Sequence, residues 1–276
     1  MQTLAEIRAL LASRGLTPKR SLGQNFLIDH NLIRKLVDAS GVRAGDLVVE
    51  IGPGTGTLSE ELLDRGVRLV ACELDDSLAE LLRERFASRP TFSLIHGDCL
   101  DGKRELNPHL REIVAANDFA LVANLPYGAA TPLITTLLLK YPRCASMHIT
   151  IQREVIDRLA AGPGTKDYGA LSVITGSLAR VTQIATLPPE CFWPRPEVTS
   201  GMASIVRLPT PLADDPAAFA DFCARAFAQR RKQLGTLLGR AVPWPPGISP
   251  SDRAEQLTVP KLIEIWKAVA RSQGDQ

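Results

Sequence analysis

No stretch of this 276-residue chain approaches the roughly 18 consecutive apolar residues that a membrane span needs. The N-terminus also lacks a signal-peptide pattern, so a cytoplasmic protein is expected. Cysteines number five and histidines four. An odd thiol count without paired spacing argues against a disulfide framework, and neither residue type forms a zinc constellation. Free thiols in a reducing compartment, and no metal, are expected. Internal repeats and low-complexity tracts are missing too. Charge of one sign is not in large excess: the formal net charge is +2, which taken alone argues weakly against a nucleic-acid binder.

The distribution of charge says more than its sum. Residues 1–45 carry seven Lys or Arg against three acids, and residues 192–276 carry eleven against eight. The 146 residues between them hold 14 bases and 19 acids. Cationic ends around a more acidic middle would let the termini grip phosphates; ordinary solvated faces are the alternative. With 45% hydrophobic and 22% charged residues, the composition is that of a globular protein, long enough for one large domain and a small one.

Apolar runs at 47–51, 68–72, 92–95, 119–123, 146–151, about 181–187 and 202–208 read as strands. Helical spacing at about 31–40, 57–65, 76–87, 130–139, 152–160 and 169–178 alternates with them. Such alternation predicts a parallel sheet covered by helices, and the last two strands, with no helix between them, predict an antiparallel edge. The chain divides near Pro209-Thr210-Pro211. Beyond it, helical patterns at about 216–228, 231–239, 250–257 and 259–271 predict a small all-helical domain. The expected domains are 1–210, with an N-terminal lid segment, and 211–276.

Three features of the larger domain carry chemistry. Leu47 to Ile51 runs into Gly52-Pro53-Gly54-Thr55-Gly56, and helical spacing resumes at Thr57. This strand, loop and helix opens a nucleotide-binding fold, with Gly52 and Gly54 allowing a tight turn and close approach to a ligand. A dinucleotide fingerprint would need glycine at Thr57. The next two strands each run into an acid, Glu73 and Asp98. In an open parallel sheet both reach the crevice beyond the strand ends, where Glu73 can accept ribose hydroxyls and Asp98 an adenine amine. Solvated strand-end carboxylates are the plainer alternative.

The third feature is Asn124-Leu125-Pro126-Tyr127, at the exit of the strand that ends at Ala123. The Asn124 oxygen and the carbonyl of Leu125 or Pro126 can accept both protons of a planar amine while Tyr127 stacks on its ring. An amine whose lone pair is delocalised is a poor nucleophile, so it needs orientation more than acid–base strength. Phe192, in the stiffened loop Phe192-Trp193-Pro194-Arg195-Pro196, is the candidate for the second face of the sandwich. Its alternative is a core aromatic under the loop.

Taken in order, Glu50 to Gly56, Glu73, Gly97-Asp98 and the Asn-Leu-Pro-Tyr box resemble the S-adenosylmethionine-dependent adenine-N6 dimethyltransferases of ribosomal RNA. Lys19 to Leu27, Gln152 to Val155, Tyr168 to Val173, Phe192 to Val198, Gln229 to Lys232 and Arg253 to Leu257 extend the match over residues 18–267. The resemblance implies a Rossmann-like class I methyltransferase α/β fold, with helices on both faces of the sheet, and S-adenosylmethionine as cofactor. It places Asn25, Leu27 and Asn124 against that cofactor and Arg230, Arg231 and Lys232 against RNA. Tyr168-Gly169, preceded by Pro163 to Lys166, together with the basic tail looks more like the branch acting on the small subunit. Those enzymes dimethylate two adjacent adenines in a 3′-terminal hairpin of immature subunits, and a monomer is expected. A large-subunit resistance-type enzyme, a DNA adenine methyltransferase and a non-catalytic assembly or transcription factor are the competing classes; Thr57 and the Asn124 box disfavour a dehydrogenase. Gly176-Ser177-Leu178 stands where many relatives carry aromatic residues.

Overall fold

The computed structural model describes residues 1–102, 104–230, 232–239 and 242–274. In chain order the elements are α1 (Leu4–Ser13), β1 (Phe26–Leu27), α2 (His30–Ser40), β2 (Leu47–Ile51), α3 (Thr57–Asp64), β3 (Arg68–Glu73), α4 (Asp76–Arg85) and β4 (Phe92–His96). Then follow β5 (Leu100–Asp101), β6 (Glu105–Leu106), α5 (Pro108–Ala115), β7 (Phe119–Asn124), α6 (Tyr127–Lys140), β8 (Cys144–Gln152), α7 (Arg153–Ala160) and α8 (Ala170–Leu178). The last are β9 (Ala179–Leu187), β10 (Phe192–Trp193), β11 (Ser200–Arg207), α9 (Pro216–Ala226), α10 (Leu234–Leu238) and α11 (Val259–Gly274).

Seven strands form one sheet in the order β4-β3-β2-β7-β8-β11-β9. The pairs from β4 to β8 are parallel, and β11 runs antiparallel to β8. The order reverses beside β2, where β3 lies on one side and β7 on the other. This is a topological switch point, so the loops leaving β2, β3 and β7 open onto one crevice. All five residues of β2 are buried, as a strand covered on both faces must be. On one face Val48, Leu69 and Val122 pack with Ile33, Leu36, Leu62, Leu81 and Leu82 of α2, α3 and α4. Alternate residues Val49, Val70 and Leu121 are buried on the opposite face, and α6 buries Leu133, Ile134, Leu137 and Leu138.

The strands expected from sequence are all found, each within about two residues. The N-terminal helix α1 and the helix α5 are additions. The region expected to be helical at 250–257 holds a single 3₁₀ turn, Ala254–Gln256.

Two compact units divide the chain, Met1–Ile156 with Thr182–Val206, and Asp157–Val181 with Arg207–Gln276. The second therefore takes in α8 as well as the tail, where the sequence suggested a division at 210. Leu208 N–H donates to the Leu178 carbonyl (2.8 Å) and Leu212 N–H to that of Ser177 (2.9 Å). Within the same unit the Tyr168 hydroxyl donates to the Leu257 carbonyl at 2.8 Å. The Pro209-Thr210-Pro211 break is thus a crossing inside one packed body.

Candidate active site

A cavity of ≈ 270 Å³ lies at the switch point and is lined by Asn25, Leu27, Gly52, Gly54, Glu73, Asp98, Asn124 and Pro126, among others. These eight residues come from five separate stretches of sequence, and the fold gathers them around one space. Leu125, Tyr127 and Phe192 do not line it.

The glycine loop has the geometry its sequence suggests. Gly52, Gly54 and Gly56 all have positive φ, at 67°, 61° and 84°. Space matters as much as dihedral angle: a Cβ on Gly54 would stand 2.8 Å from the Phe26 ring, and one on Gly52 3.1 Å from Pro126 Cγ. The loop is therefore pressed between the N-terminal lid and the Asn124 box, and its glycines permit that approach as well as approach to a ligand.

Glu73 is 5% exposed at the end of β3. Its Oε2 accepts the Gly54 N–H (3.1 Å) and its Oε1 the Asp75 N–H (3.0 Å). Burial pushes the carboxyl's pKa up, while these two N–H groups pull it back. Asp98 is exposed, and one of its oxygens takes the Leu100 N–H at 3.0 Å. Cys72 and Cys99 also line the cavity. Burial holds both thiols above the usual range, Cys72 at about 12, so they act as small apolar walls.

In the Asn124 box each residue is anchored by at least one hydrogen bond. The Asn124 Nδ2 donates to the Asn25 carbonyl at 2.8 Å, which leaves its Oδ1 as the uncommitted end. Leu125 is buried, with its N–H on the Thr150 carbonyl (3.0 Å). The Pro126 carbonyl accepts the Ala129 N–H at 3.0 Å in the first turn of α6, so of the two carbonyls weighed from sequence the Leu125 oxygen is the one not spent there. Tyr127 is half-buried, and its hydroxyl lies 2.7 Å from Ser200 Oγ. Ser200 escaped the sequence reading because nothing local marks a serine 73 residues away as the partner of that ring.

Phe192 corrects an expectation. Strand β10 pairs antiparallel with β1, setting Phe26 opposite Trp193 and Leu27 opposite Phe192. Successive side chains of a strand point to opposite sides. Phe192 accordingly turns inward, 2% exposed and packed in the core cluster, while Trp193 stays half-exposed beside Phe26 (ring centroids 6.2 Å apart). The ring expected to stack on a base is a core side chain here.

Arg230 corrects another. Its Nε meets Glu255 Oε2 at 2.5 Å, its Nη2 donates to the Thr165 carbonyl at 2.7 Å and its Nη1 to the Lys166 carbonyl. A guanidinium with three donors spent locally is a structural tie within its unit rather than a free phosphate contact. Lys232 is exposed. Arg231 lies outside the described residues.

Glu50, quoted above only as part of a motif, emerges as an unusual group. It lines the cavity, is 2% exposed and accepts from Ser59 Oγ at 2.6 Å. Burial, with Glu73 adding to it, pushes its pKa up to about 8. Folding thus raises this pKa above an unfolded value of about 4.3. Its stabilising contribution is complete below that value and is lost as pH rises through about 8. His148, buried and held at about 4, acts oppositely below its ordinary 6.5, so pH 6.5–8 is the window in which Glu50 titrates without it, and comparison with Glu50→Gln separates Glu50 from Glu73, whose pKa burial also raises. Across it the cofactor-free protein is expected to lose roughly 1.5–2 kcal/mol that the Glu50→Gln variant keeps. Urea unfolding at both pH values checks this; parallel losses in parent and variant would place an ionised Glu50 in the fold.

Among the described residues no helix is long and apolar enough to cross a membrane. Residues 15–268 match the family model described as ribosomal RNA adenine dimethylase. The chain is 40% identical over 278 residues to a "Ribosomal RNA small subunit methyltransferase A" of Streptomyces coelicolor, covering 95% of this chain and 94% of that one. It is 39% identical over 278 residues to the protein of the same name from Streptomyces avermitilis, covering 95% and 91%. Its fold matches the crystal structure of a dimethyladenosine transferase from Plasmodium falciparum, with a TM-score of 0.72 at 18% identity over 91% of this chain and 98% of that one. By family model, by relatives and by fold, this chain belongs to the ribosomal RNA adenine dimethylases, S-adenosylmethionine-dependent methyltransferases of class I architecture.

Proposed function

We propose that the protein methylates the N6 amines of two adjacent adenines in a 3′-terminal hairpin of small-subunit ribosomal RNA. It works in the cytoplasm, as a monomer, on immature small subunits. The observation that carries this reading is the meeting of the Asn124 box with the strand-end acids on one cavity. The small-subunit assignment leans on the names of the Streptomyces relatives.

The cavity fits an adenosyl sulfonium. Glu73 and Asp98 supply acceptors for hydroxyls and an amine, the glycine loop supplies a close backbone wall, and Leu58, Leu78 and the two neutral thiols supply apolar surface. When bound, that cofactor supplies an activated methyl group. The chain's own residues do the orienting. Asn124 Oδ1 and the Leu125 carbonyl accept the two amine protons, turning the nitrogen lone pair toward the methyl. Tyr127 stacks on the flipped base, worth about 1–3 kcal/mol, its ring steadied by Ser200. No general base is required before transfer, because the amine proton becomes acidic only afterwards. RNA phosphates are met by Lys232 and other exposed cations, with Arg230 engaged in its own unit.

Methyl transfer from labelled cofactor to immature small subunits, followed by mapping of the modified adenines, tests the assignment. Label confined to large-subunit RNA, or to DNA hairpins, would overturn it. For the cofactor, Glu73→Ala is expected to weaken binding by about 1.5–3 kcal/mol, the range for hydrogen bonds to a charged group. Asp98→Ala, at an exposed carboxylate, is expected at the lower end. Calorimetric titration reads both, and unchanged affinity in the two variants would sink the placement.

A further inference from the structure

Asp75, just past β3, was absent from the sequence reading although it holds together more of the site than any other side chain described. It is 4% exposed, and its two oxygens face different parts of the structure. Oδ1 accepts the N–H groups of Ser77 (3.0 Å) and Leu78 (3.1 Å), capping α4. Oδ2 is spent on the lid: Lys19 Nζ lies 2.6 Å away and Gln24 Nε2 3.2 Å. Gln24 is itself braced, its Oε1 accepting the Lys19 N–H at 2.7 Å. The Asp75 main chain completes the link, donating its N–H to Glu73 Oε1 at 3.0 Å, while Glu73 Oε2 holds the Gly54 N–H.

A helix cap alone would need only Oδ1. The second oxygen binds two donors from a segment more than fifty residues away in sequence, the same segment whose Gly23, Asn25 and Leu27 roof the cavity. One residue thus connects the roof, through its side chain, to the carboxylate that meets the ribose, through its main-chain N–H, and from Glu73 the connection runs on to the glycine loop. We propose that Asp75 is a positioning residue that latches the N-terminal lid, through Lys19 and Gln24, onto the Glu73 end of the cofactor cavity, so that retention of S-adenosylmethionine depends on this latch. The inference rests on the cofactor placement proposed above. It predicts that the latch controls how long the cofactor stays more than how fast the methyl moves, because the Asn124 amide is held by the Asn25 main-chain carbonyl and not by the side chains of Lys19, Gln24 or Asp75.

The two oxygens allow cap and latch to be separated. Asn caps a helix as well as Asp does, so Asp75→Asn keeps an oxygen on Ser77 and Leu78 and turns an amide N–H₂ toward Lys19 and Gln24. Lys19 is half-exposed, so Lys19→Ala removes the other partner with little consequence for folding. For each variant the cofactor Kd by calorimetry and the KM for cofactor are expected to rise roughly tenfold, an exposed ion pair being worth less than a buried one. The kcat at saturating cofactor is expected to stay within about a factor of two. The double variant should bind no worse than the weaker single variant, since the Lys19 contact removed by Lys19→Ala is one of those Asp75→Asn already breaks, and Lys19→Arg should keep close to parental binding. Thermal melting verifies that the fold survives. Parental Kd in both single variants, or losses that multiply in the double variant, would overturn the latch. Glu73→Ala run in parallel separates the failures. If it loses affinity while the latch variants do not, only the latch is wrong; if none loses affinity, the cofactor placement itself falls.

Discussion

Replacing Asn124 with Ala is expected to lower single-turnover methyl transfer by about 10²–10³-fold, the loss that follows removal of one preorganised group at a reacting centre. Asn124 closes β7 at the switch point, its Nδ2 fixed on the Asn25 carbonyl at 2.8 Å. That bond sets the amide plane and decides which end faces the amine. An oxygen held there accepts one amine proton without reorganising as the nitrogen becomes tetrahedral, so its benefit is largest in the transition state. The same bond ties the lid to the box, so a modest loss of cofactor affinity, less than about tenfold, accompanies the substitution as an ordinary hydrogen-bond effect. Rapid mixing of preformed enzyme, cofactor and RNA measures the chemical step apart from binding. A variant that transfers at near the parental rate would show that the amine is oriented by something else.

The sequence made the sheet legible because its central strands are short, largely apolar runs bounded by glycine, acids or Asn124, with Glu50 the one charge inside β2, and no competing periodicity obscures them. The crevice followed, since strand order and the rule for open parallel sheets bring Gly52, Glu73, Asp98 and Asn124 together. What stayed hidden has physical causes. Helix α1 begins with a capping box, Thr3 to Glu6, and α5 with an Asn107 cap and Pro108 in its first turn. Both signals are local and readable, yet neither helix follows a long apolar stripe, and α1 buries only Ile7 and Leu11. The partnerships of Asp75 with Lys19 and of Tyr127 with Ser200 are long-range contacts without periodicity, which only folded coordinates reveal.

Arg230 and Phe192 show where residue type misleads. A basic triplet in a helical tail suggests phosphates, but an arginine has five donors and a folded unit has carbonyls to satisfy; Arg230 meets Thr165, Lys166 and Glu255 first. Proline-rich loops suggest exposure, which made an aromatic at their start look available. Pairing with β1 reverses that inference, because strand alternation sends one of two neighbouring aromatics inward.

For Phe192 the consequence is measurable. Truncating a fully buried aromatic removes its burial and leaves a cavity, so Phe192→Ala is expected to destabilise the protein by about 3–5 kcal/mol. The damage should reach the lid, because Phe192 pairs with Leu27 and the Ile28 N–H donates to the Cys191 carbonyl at 2.9 Å beside it. Lower transfer by this variant would therefore be ambiguous, arising from a loosened roof as readily as from a lost stacking partner. Phe192→Leu resolves the matter. Leucine refills most of the site and is expected to cost about 1–2 kcal/mol, but it offers no π-face to a base. A core side chain predicts that Phe192→Leu transfers methyl groups at close to the parental rate at saturating RNA, with a urea midpoint between those of parent and Phe192→Ala. If Phe192→Leu melts like the parent yet loses transfer by tenfold or more, the ring leaves the core to meet the base, and strand β10 must part from β1 during the reaction.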